Sequence, residues 1–549
     1  MTTVVNSGTM GYVDFTDASA GSLFTNSGVV TELTANGASF IADNSGTIVG
    51  GVDLSGDSAS LTDSGTIKLG VTFAGSAAGT ATLRITSTGV VTSVPVSSAT
   101  GYNAVEVSAG AYDISTAGEI VASGAGAAGV DVHGGGTIVN RGKIVGGTYG
   151  VANSAKAGVT DYVYNYGSID ASQGNALLDD GGHTAHVVNY GTLAGGSGYA
   201  GVAADSFTVE SLTNGGTSEG GVDLGAAGST IVNTGTIDGL VDLWGGVGSY
   251  HFTNSGLING DITFTGTGNV YNGAAGSVTG TIHGAGADGV YYGGNDGETF
   301  DMTASGAKLV VGGSGSDTFK FTAAGLTRAT TVQGGGGTGV HTLDFTTAGT
   351  ISASQLFHVS GIEQIDLANG TNSIALTDAL VASASQAALT LWCGSGADTI
   401  DASGITSAAN KLTIDAGAGI DNIIAGQGTD TFVFTSASQS TGPGYDTIAG
   451  ANWALDKFDL NGAPVTTIDK AVTGGSLSTA TFDTNLAALL GHTQLAADSA
   501  VLLTPSAGTL AGHTFLVEDT NGIAGYQAGK DLIFDVTGAT GKLSTGNFV

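Results

Sequence analysis

The chain reads as all-β, a solenoid of short stacked strands, and three observations predict it. Of 549 residues, 96 are glycine and only 4 are proline. An Asn-x-Gly signature recurs through the first half at a period near 20 residues. The apolar residues that follow it alternate with polar ones at period two, the spacing of a strand with one buried face. Hydrophobic residues make up 41% of the sequence, enough to fill a core, so a net charge of −33 does not imply disorder. A chain this long holds several domains unless a repeat extends one of them.

The repeat accounts for residues 1–282. Its signature falls at Asn6, Asn26, Asn44, Asp63, Asn140, Asn165, Asn189, Asn233 and Asn254. The 20 residues from Asn6 to Asn26 and the 21 from Asn233 to Asn254 match one solenoid coil. Gly46-Thr-Ile48-Val-Gly50-Gly-Val52-Asp-Leu54 aligns with Gly235-Thr-Ile237-Asp-Gly239-Leu-Val241-Asp-Leu243, and Ile262 and Phe264 continue the pattern one coil later. Val52, Leu54, Val241, Leu243, Ile262 and Phe264 are therefore expected inside. Asparagine and glycine tolerate the positive φ that a corner between short strands requires. The pattern resembles a right-handed parallel β-helix, similar to the passenger domains of bacterial surface adhesins; the resemblance implies an architecture and no activity. The repeat is already running at Gly8-Thr-Met10-Gly-Tyr-Val13-Asp-Phe15. An open first coil would expose unpaired backbone groups, so end-to-end pairing with a second copy is expected, with residues 1–7 folding back as a cap as the alternative.

From residue 283 the repeat changes. Gly312-Gly-Ser-Gly315-Ser-Asp317-Thr-Phe319-Lys fits G-G-x-G-x-D-x-U-x, where U is a large apolar residue. Cys393-Gly-Ser-Gly396-Ala-Asp398-Thr-Ile400 differs only at its first position. Ala416-Gly-Ala-Gly419-Ile-Asp421-Asn-Ile423 and Ala425-Gly-Gln-Gly428-Thr-Asp430-Thr-Phe432 follow in tandem, 9 residues apart. Weaker copies hold Gly286 and Asp288, then Asp296 and Glu298. These units resemble the RTX (repeats-in-toxin) motif, a calcium-binding parallel β-roll. Glycines let the turn coil tightly and aim its carbonyls inward, the aspartate supplies an anionic ligand, and U fills the core. Calcium takes 6–8 oxygens, so ligands must converge from stacked turns. The resemblance implies Ca2+ ligands at Asp317, Asp398, Asp421 and Asp430, turns built on Gly315, Gly396, Gly419 and Gly428, and weaker contributions from Asp288, Asp296 and Glu298. Metal-free coils are the alternative for the degenerate copies. The expected divisions are a degenerate RTX-like, strand-rich region at 283–392, a calcium β-roll with closing strands at 393–462, and a small β-rich domain at 463–549.

The roll's closure, Asp430-Thr-Phe432, Gly444-Tyr-Asp446-Thr-Ile448 and Leu455-Asp-Lys-Phe458-Asp-Leu-Asn461, resembles that of serralysin-type metalloproteases. No His-Glu pair stands anywhere in the sequence, so the resemblance carries over the roll and the export route without the zinc protease. Ser499-Ala-Val-Leu-Leu503 and Thr514 through Val536 are similar to the terminal domain of type I secreted bacterial proteins, which implies the type I secretion machinery as a partner. Two strands around Asp519-Thr-Asn-Gly522 form the expected hairpin. The first residues show neither a basic nor an apolar leader region, and a C-terminal signal would account for that. Sites with dissociation constants of about 10⁻⁴–10⁻³ M stay empty in the cytosol and fill outside.

Charge narrows the partners. Thirteen Lys and Arg stand against 46 Asp and Glu, which disfavours nucleic acid and anionic lipid and favours divalent cations. No 18-residue apolar run exists, so no spanning helix is expected. Gly216-Thr-Ser218-Glu-Gly220 matches a nucleophile elbow without the helix that motif needs. Gly124-Ala-Gly126-Ala-Ala-Gly129 matches a dinucleotide fingerprint but continues as a strand. His183 and His186 read as a loop pair with no third metal ligand in sequence, and Cys393 as a small apolar group. Tyr164/Tyr166 and Tyr291/Tyr292 are expected to stack on one another between coils. The expectation is a non-enzymatic, calcium-dependent, self-assembling extracellular protein of the bacterial surface: an S-layer, a fibre or a cohesive matrix. Cell-surface polysaccharide is a further candidate partner. The alternatives are an adhesin for host or glycan and, less favoured, a polysaccharide lyase or epimerase using Arg141, Lys143 and Tyr149.

Overall fold

Period-two alternation becomes short strands, most of three to six residues, joined by glycine corners. A computed structural model describes residues 1–549 except 19, 76–77, 95–100, 109, 205–209, 226–227, 246–247 and 461–463, and without the side chains of 17 and 18. Asn461 and the expected boundary at 462/463 fall at the last of these gaps, outside the described residues. Strand makes up 47% of the chain and helix 6%, so the all-β expectation holds. The chain divides into two compact units, Met1–Asn295 and Asp296–Val549.

The N-terminal unit is a parallel β-solenoid with three strands per coil. Thr230–Asn233 pairs with His251–Asn254, Thr236–Asp238 with Leu257–Asn259, and Val241–Leu243 with Ile262–Phe264, all in parallel. Ile231, Ile237, Val241 and Leu243 stack inside on Phe252, Ile258, Ile262 and Phe264, each at most 1% exposed. Burying a side chain of this size contributes about 1.5–3 kcal/mol. The unit continues past residue 282 and includes the weak copy holding Asp288.

The signature asparagines form a column within this unit. Asn140 donates from Nδ2 to Asn165 Oδ1 at 2.7 Å; Asn165 to Asn189, Asn189 to Asn214, Asn214 to Asn233 and Asn233 to Asn254 repeat the contact at 2.8 Å. The Oδ1 of Asn140, Asn165, Asn189 and Asn254 also accepts from the backbone N–H two residues on, as Asn140 does from Gly142 at 3.0 Å. One amide therefore closes its own corner and clamps the next. A shorter column runs from Asn6 through Asn26 and Asn44 to Asp63. At the next coils Ile85 and Thr116 occupy the position, and the strands keep register without an amide.

The C-terminal unit coils more simply, with two strands in most turns; a short ladder of Leu309–Val311, Thr331–Gln333 and Val359–Ser360 belongs to its first turns alone. One ladder runs through Thr318–Phe321, Thr342–Phe345, Gln364–Leu367, Ala388–Trp392, Lys411–Asp415, Thr429–Val433 and Lys457–Asp459. A second runs through Thr350–Ile351, Ser373–Ala375, Thr399–Asp401, Asn422–Ile424 and Asp446–Ala449. Beyond it Ser499–Thr504, Phe515–Glu518 and Leu532–Asp535 form an antiparallel sheet, with the expected hairpin around Asp519–Gly522. Helix Phe482–Leu489 buries Phe482 and Leu486 against Val501, Phe515, Val517 and Ile533. Among the described residues no helix is long and apolar enough to cross a membrane. Ser218 sits in strand Thr217–Glu219, buried, and donates its hydroxyl to the Gly221 carbonyl at 3.0 Å, so it forms no exposed elbow.

Candidate metal centre

The aspartates of the glycine-rich turns stack into buried columns, one carboxylate per coil. Pairing of Ser373–Ala375, Thr399–Asp401, Asn422–Ile424 and Asp446–Ala449 brings Asn372, Asp398, Asp421 and Asp446 into line. Asp398 Oδ1 accepts from the Asn372 backbone at 2.7 Å, Asp421 Oδ1 from the Asp398 N–H at 2.8 Å, and Asp446 Oδ1 from the Asp421 N–H at 2.8 Å. A separate column joins Asp430, whose N–H donates to Asp456 Oδ1 at 3.1 Å and whose Oδ2 accepts from Gly426 at 2.8 Å. Nine residues carry the chain across the coil, so the tandem pair Asp421 and Asp430 joins two different columns. The neighbours that meet in space lie 23 and 25 residues from Asp421 and 26 from Asp430.

The glycines explain how turns approach this closely. A Cβ on Gly396 would stand 2.4 Å from the Gly370 backbone, and one on Gly419 1.8 Å from the Gly396 carbonyl oxygen. Gly315 and Gly428 are equally closed, against Asp296–Gly297 and Asn410. Any side chain at these positions would wedge adjacent coils apart.

Each column leaves oxygens without donors. Asp398 Oδ2, Asp421 Oδ2, Asp446 Oδ2 and Asp430 Oδ1 are buried and meet no hydrogen-bond partner, in residues at most 2% exposed. Burial, the largest influence, raises Asp421 and Asp430 to about 6 and Asp446 to about 8; it raises Asp398 and Asp456 as well. A buried carboxylate lacking donors needs a proton or a cation. Hard, anionic, in-register oxygens suit Ca2+. Among the described residues no three His, Cys, Asp or Glu side chains already surround an ion-sized gap, so an ion would draw its ligands together.

Asp317 is placed differently. Glu298, Asp317, His341 and Glu363 stand in register, and Asp317 accepts from Glu298 N–H at 2.9 Å and Gly313 N–H at 2.7 Å. His341 Nδ1 lies 3.2 Å from Asp317 Oδ2, so an imidazole occupies the next step of this column. Glu363 caps the His341 N–H at 2.9 Å. Glu298 is buried, whereas Asp288 and Asp296 are exposed on their turns. Asp446, Asp456 and His341 join the columns without a glycine–aspartate motif of their own; Asp446 and Asp456 lie in the closing segments, and only strand register aligns them. Cys393 is buried, and burial raises its thiol. Tyr166 stacks on Tyr190 of the next coil at 5.7 Å.

No family model matches this chain, and comparison with curated proteins gives no match.

Proposed function

We propose that the protein is a calcium-dependent extracellular structural protein that folds outside the cell and self-assembles into a surface layer, fibre or matrix. The observation that carries this reading is the set of donor-less buried oxygens on Asp398, Asp421, Asp430 and Asp446. In this reading the coiled part of the C-terminal unit is an RTX-type β-roll, and the strands after it are a type I secretion domain. Asp398, Asp421 and Asp446 hold calcium along one column and Asp430 with Asp456 along the other. Bound calcium supplies the positive charge that lets these carboxyls ionise away from water. The roll stays loose where calcium is scarce and tightens on export, while the amide-clamped solenoid provides a rigid body for assembly.

The test compares purified chain in EDTA and in millimolar calcium by circular dichroism, thermal melting and negative-stain microscopy. Calcium is expected to add β-structure, raise the melting temperature and yield ordered sheets or filaments. Equal heat resistance and a monomer under both conditions would overturn the proposal.

A glycan-binding adhesin is the second reading, and Trp392 favours it. This side chain is 54% exposed beside a cleft of about 440 Å³, in register with Asp366 and Asp415 on the coils either side. An aromatic face flanked by carboxylates suits a neutral sugar. Loss of glycan retention in Trp392→Ala with assembly intact would select it.

A further inference from the structure

Polar side chains sit inside the N-terminal unit among Val151, Val163, Leu177 and Ala185. His183 is 0% exposed, Asp161 1% and Asp179 9%. Asp161 Oδ2 lies 3.1 Å and Asp179 Oδ1 3.0 Å from His183 Nε2. We propose that Asp161, Asp179 and His183 form an internal site for a transition-metal dication of the zinc or cobalt kind, separate from the calcium columns.

Four features point there. His183 Nδ1 lies 3.1 Å from the Ala155 carbonyl, which requires a hydrogen on Nδ1. Asn153 Oδ1 accepts from the Ala155 N–H at 3.2 Å, so it is the Asn153 amino group that faces Nε2, at 2.9 Å, as a donor facing a lone pair. Asp161 Oδ2 and both oxygens of Asp179 are buried and short of well-formed hydrogen bonds, with the His183 imidazole and the Gly181 N–H the groups that reach Asp179. Meanwhile the Tyr112 hydroxyl at 2.6 Å and the Gly136 N–H at 2.9 Å hold Asp161 Oδ1, which leaves Oδ2 aimed at the imidazole. Acceptors thus converge with their outer partners already fixed, the usual second layer of a metal site.

The donor set selects the ion. One imidazole nitrogen with two carboxylates suits zinc-like dications, whereas calcium takes oxygens alone. Two ligands each about 2.1 Å from a shared ion stand roughly 3.0–3.4 Å apart, so only small carboxylate rotations are needed. A cavity of about 30 Å³ beside Asn153, Asp161, Asp179 and Glu210 holds about one or two waters, one of which completes the coordination.

Full-length chain is unfolded with chelator, refolded in millimolar calcium with one equivalent of Co2+, and dialysed. One Co2+ per chain is expected, with a visible d–d band that is lost in His183→Gln and weakened in Asp179→Asn. Should either variant fail to regain its β-sheet circular dichroism, X-ray absorption on zinc-loaded wild type replaces it, with imidazole nitrogen and carboxylate oxygen expected near 2.0–2.1 Å. Refolded wild type that retains no Co2+, a band unchanged in both folded variants, or a zinc shell without imidazole would each overturn the site. None of these outcomes bears on the calcium columns, which stay saturated throughout.

Discussion

In the N-terminal unit Asn189 accepts a hydrogen bond from Asn165 and donates one to Asn214, so each buried step is closed within the protein. In the C-terminal unit Asp421 accepts from Asp398, and its second oxygen has nothing to meet. Both devices line up one short polar side chain per coil at a glycine-rich corner, yet an amide carries donor and acceptor while a carboxylate only accepts. The first column is complete as folded. The second is complete only with a proton or a cation added. Two stretches of one chain thus share a geometry and differ in whether the medium decides their stability.

The largest expected effect separates the units by pH. For an acid whose folded pKa is raised, stability is full below the unfolded pKa and is lost as pH rises through the folded value. In EDTA the C-terminal unit should therefore weaken from about pH 4 upward, most steeply between about 4 and 6, where Asp421, Asp430 and Asp446 all keep their protons only when folded, then more gently until Asp446 titrates near 8. Calcium should erase that slope, and the asparagine coils should melt with little dependence on either. Calorimetry from pH 4 to 8, with and without chelator, reads this as two transitions, of which only one moves. A single transition insensitive to both variables would break the comparison.

A smaller effect follows from converting one device into the other. Asp421→Asn supplies an amide hydrogen where Oδ2 is bare, so it should raise chelated stability by about 1–3 kcal/mol and blunt the calcium response. The variant should be the more stable protein in EDTA and the less stable in calcium, with curves that cross. The reverse swap, Asn189→Asp, should cost about 1–3 kcal/mol at pH 7 and recover near pH 4, when the new carboxyl regains a hydrogen to donate. Calcium should leave it unchanged. Smallest is Asp63→Asn, since Asp63 already ends a column with a bare Oδ2 and a pKa that burial raises. A gain of about 1 kcal/mol at neutral pH is expected in urea titrations of the solenoid.

Much of the solenoid was legible, and the limits are instructive. Alternation placed Val52, Leu54, Val241, Leu243, Ile262 and Phe264 inside, and all are buried. Asn214-Gly-Gly216, 25 residues from Asn189 and 19 from Asn233, carries the same Asn-x-Gly signature and was equally legible, although it was not among the positions singled out. The carboxylate columns were half legible. The motif identified Asp398 and Asp421, but spacing along the chain does not say how far it travels before returning over itself. Helix Asp378–Ser383, for example, extends a coil without disturbing the register of Ser373–Ala375 on Thr399–Asp401. Asp161, Asp179 and His183 left no pattern, because their proximity arises from coils stacking about the solenoid interior.

The clamp at each corner has one further consequence. It holds position in the stack whatever the contour between clamps, from 18 residues between Asn26 and Asn44 to 25 between Asn140 and Asn165. Lengthening a bend costs little, since doubling a flexible loop adds only about 0.6 kcal/mol. The N-terminal unit is therefore built like a rack with adjustable shelves: foreign peptides spliced into its bends would be displayed at defined heights along the stack, without the neighbouring coils having to accommodate the cargo.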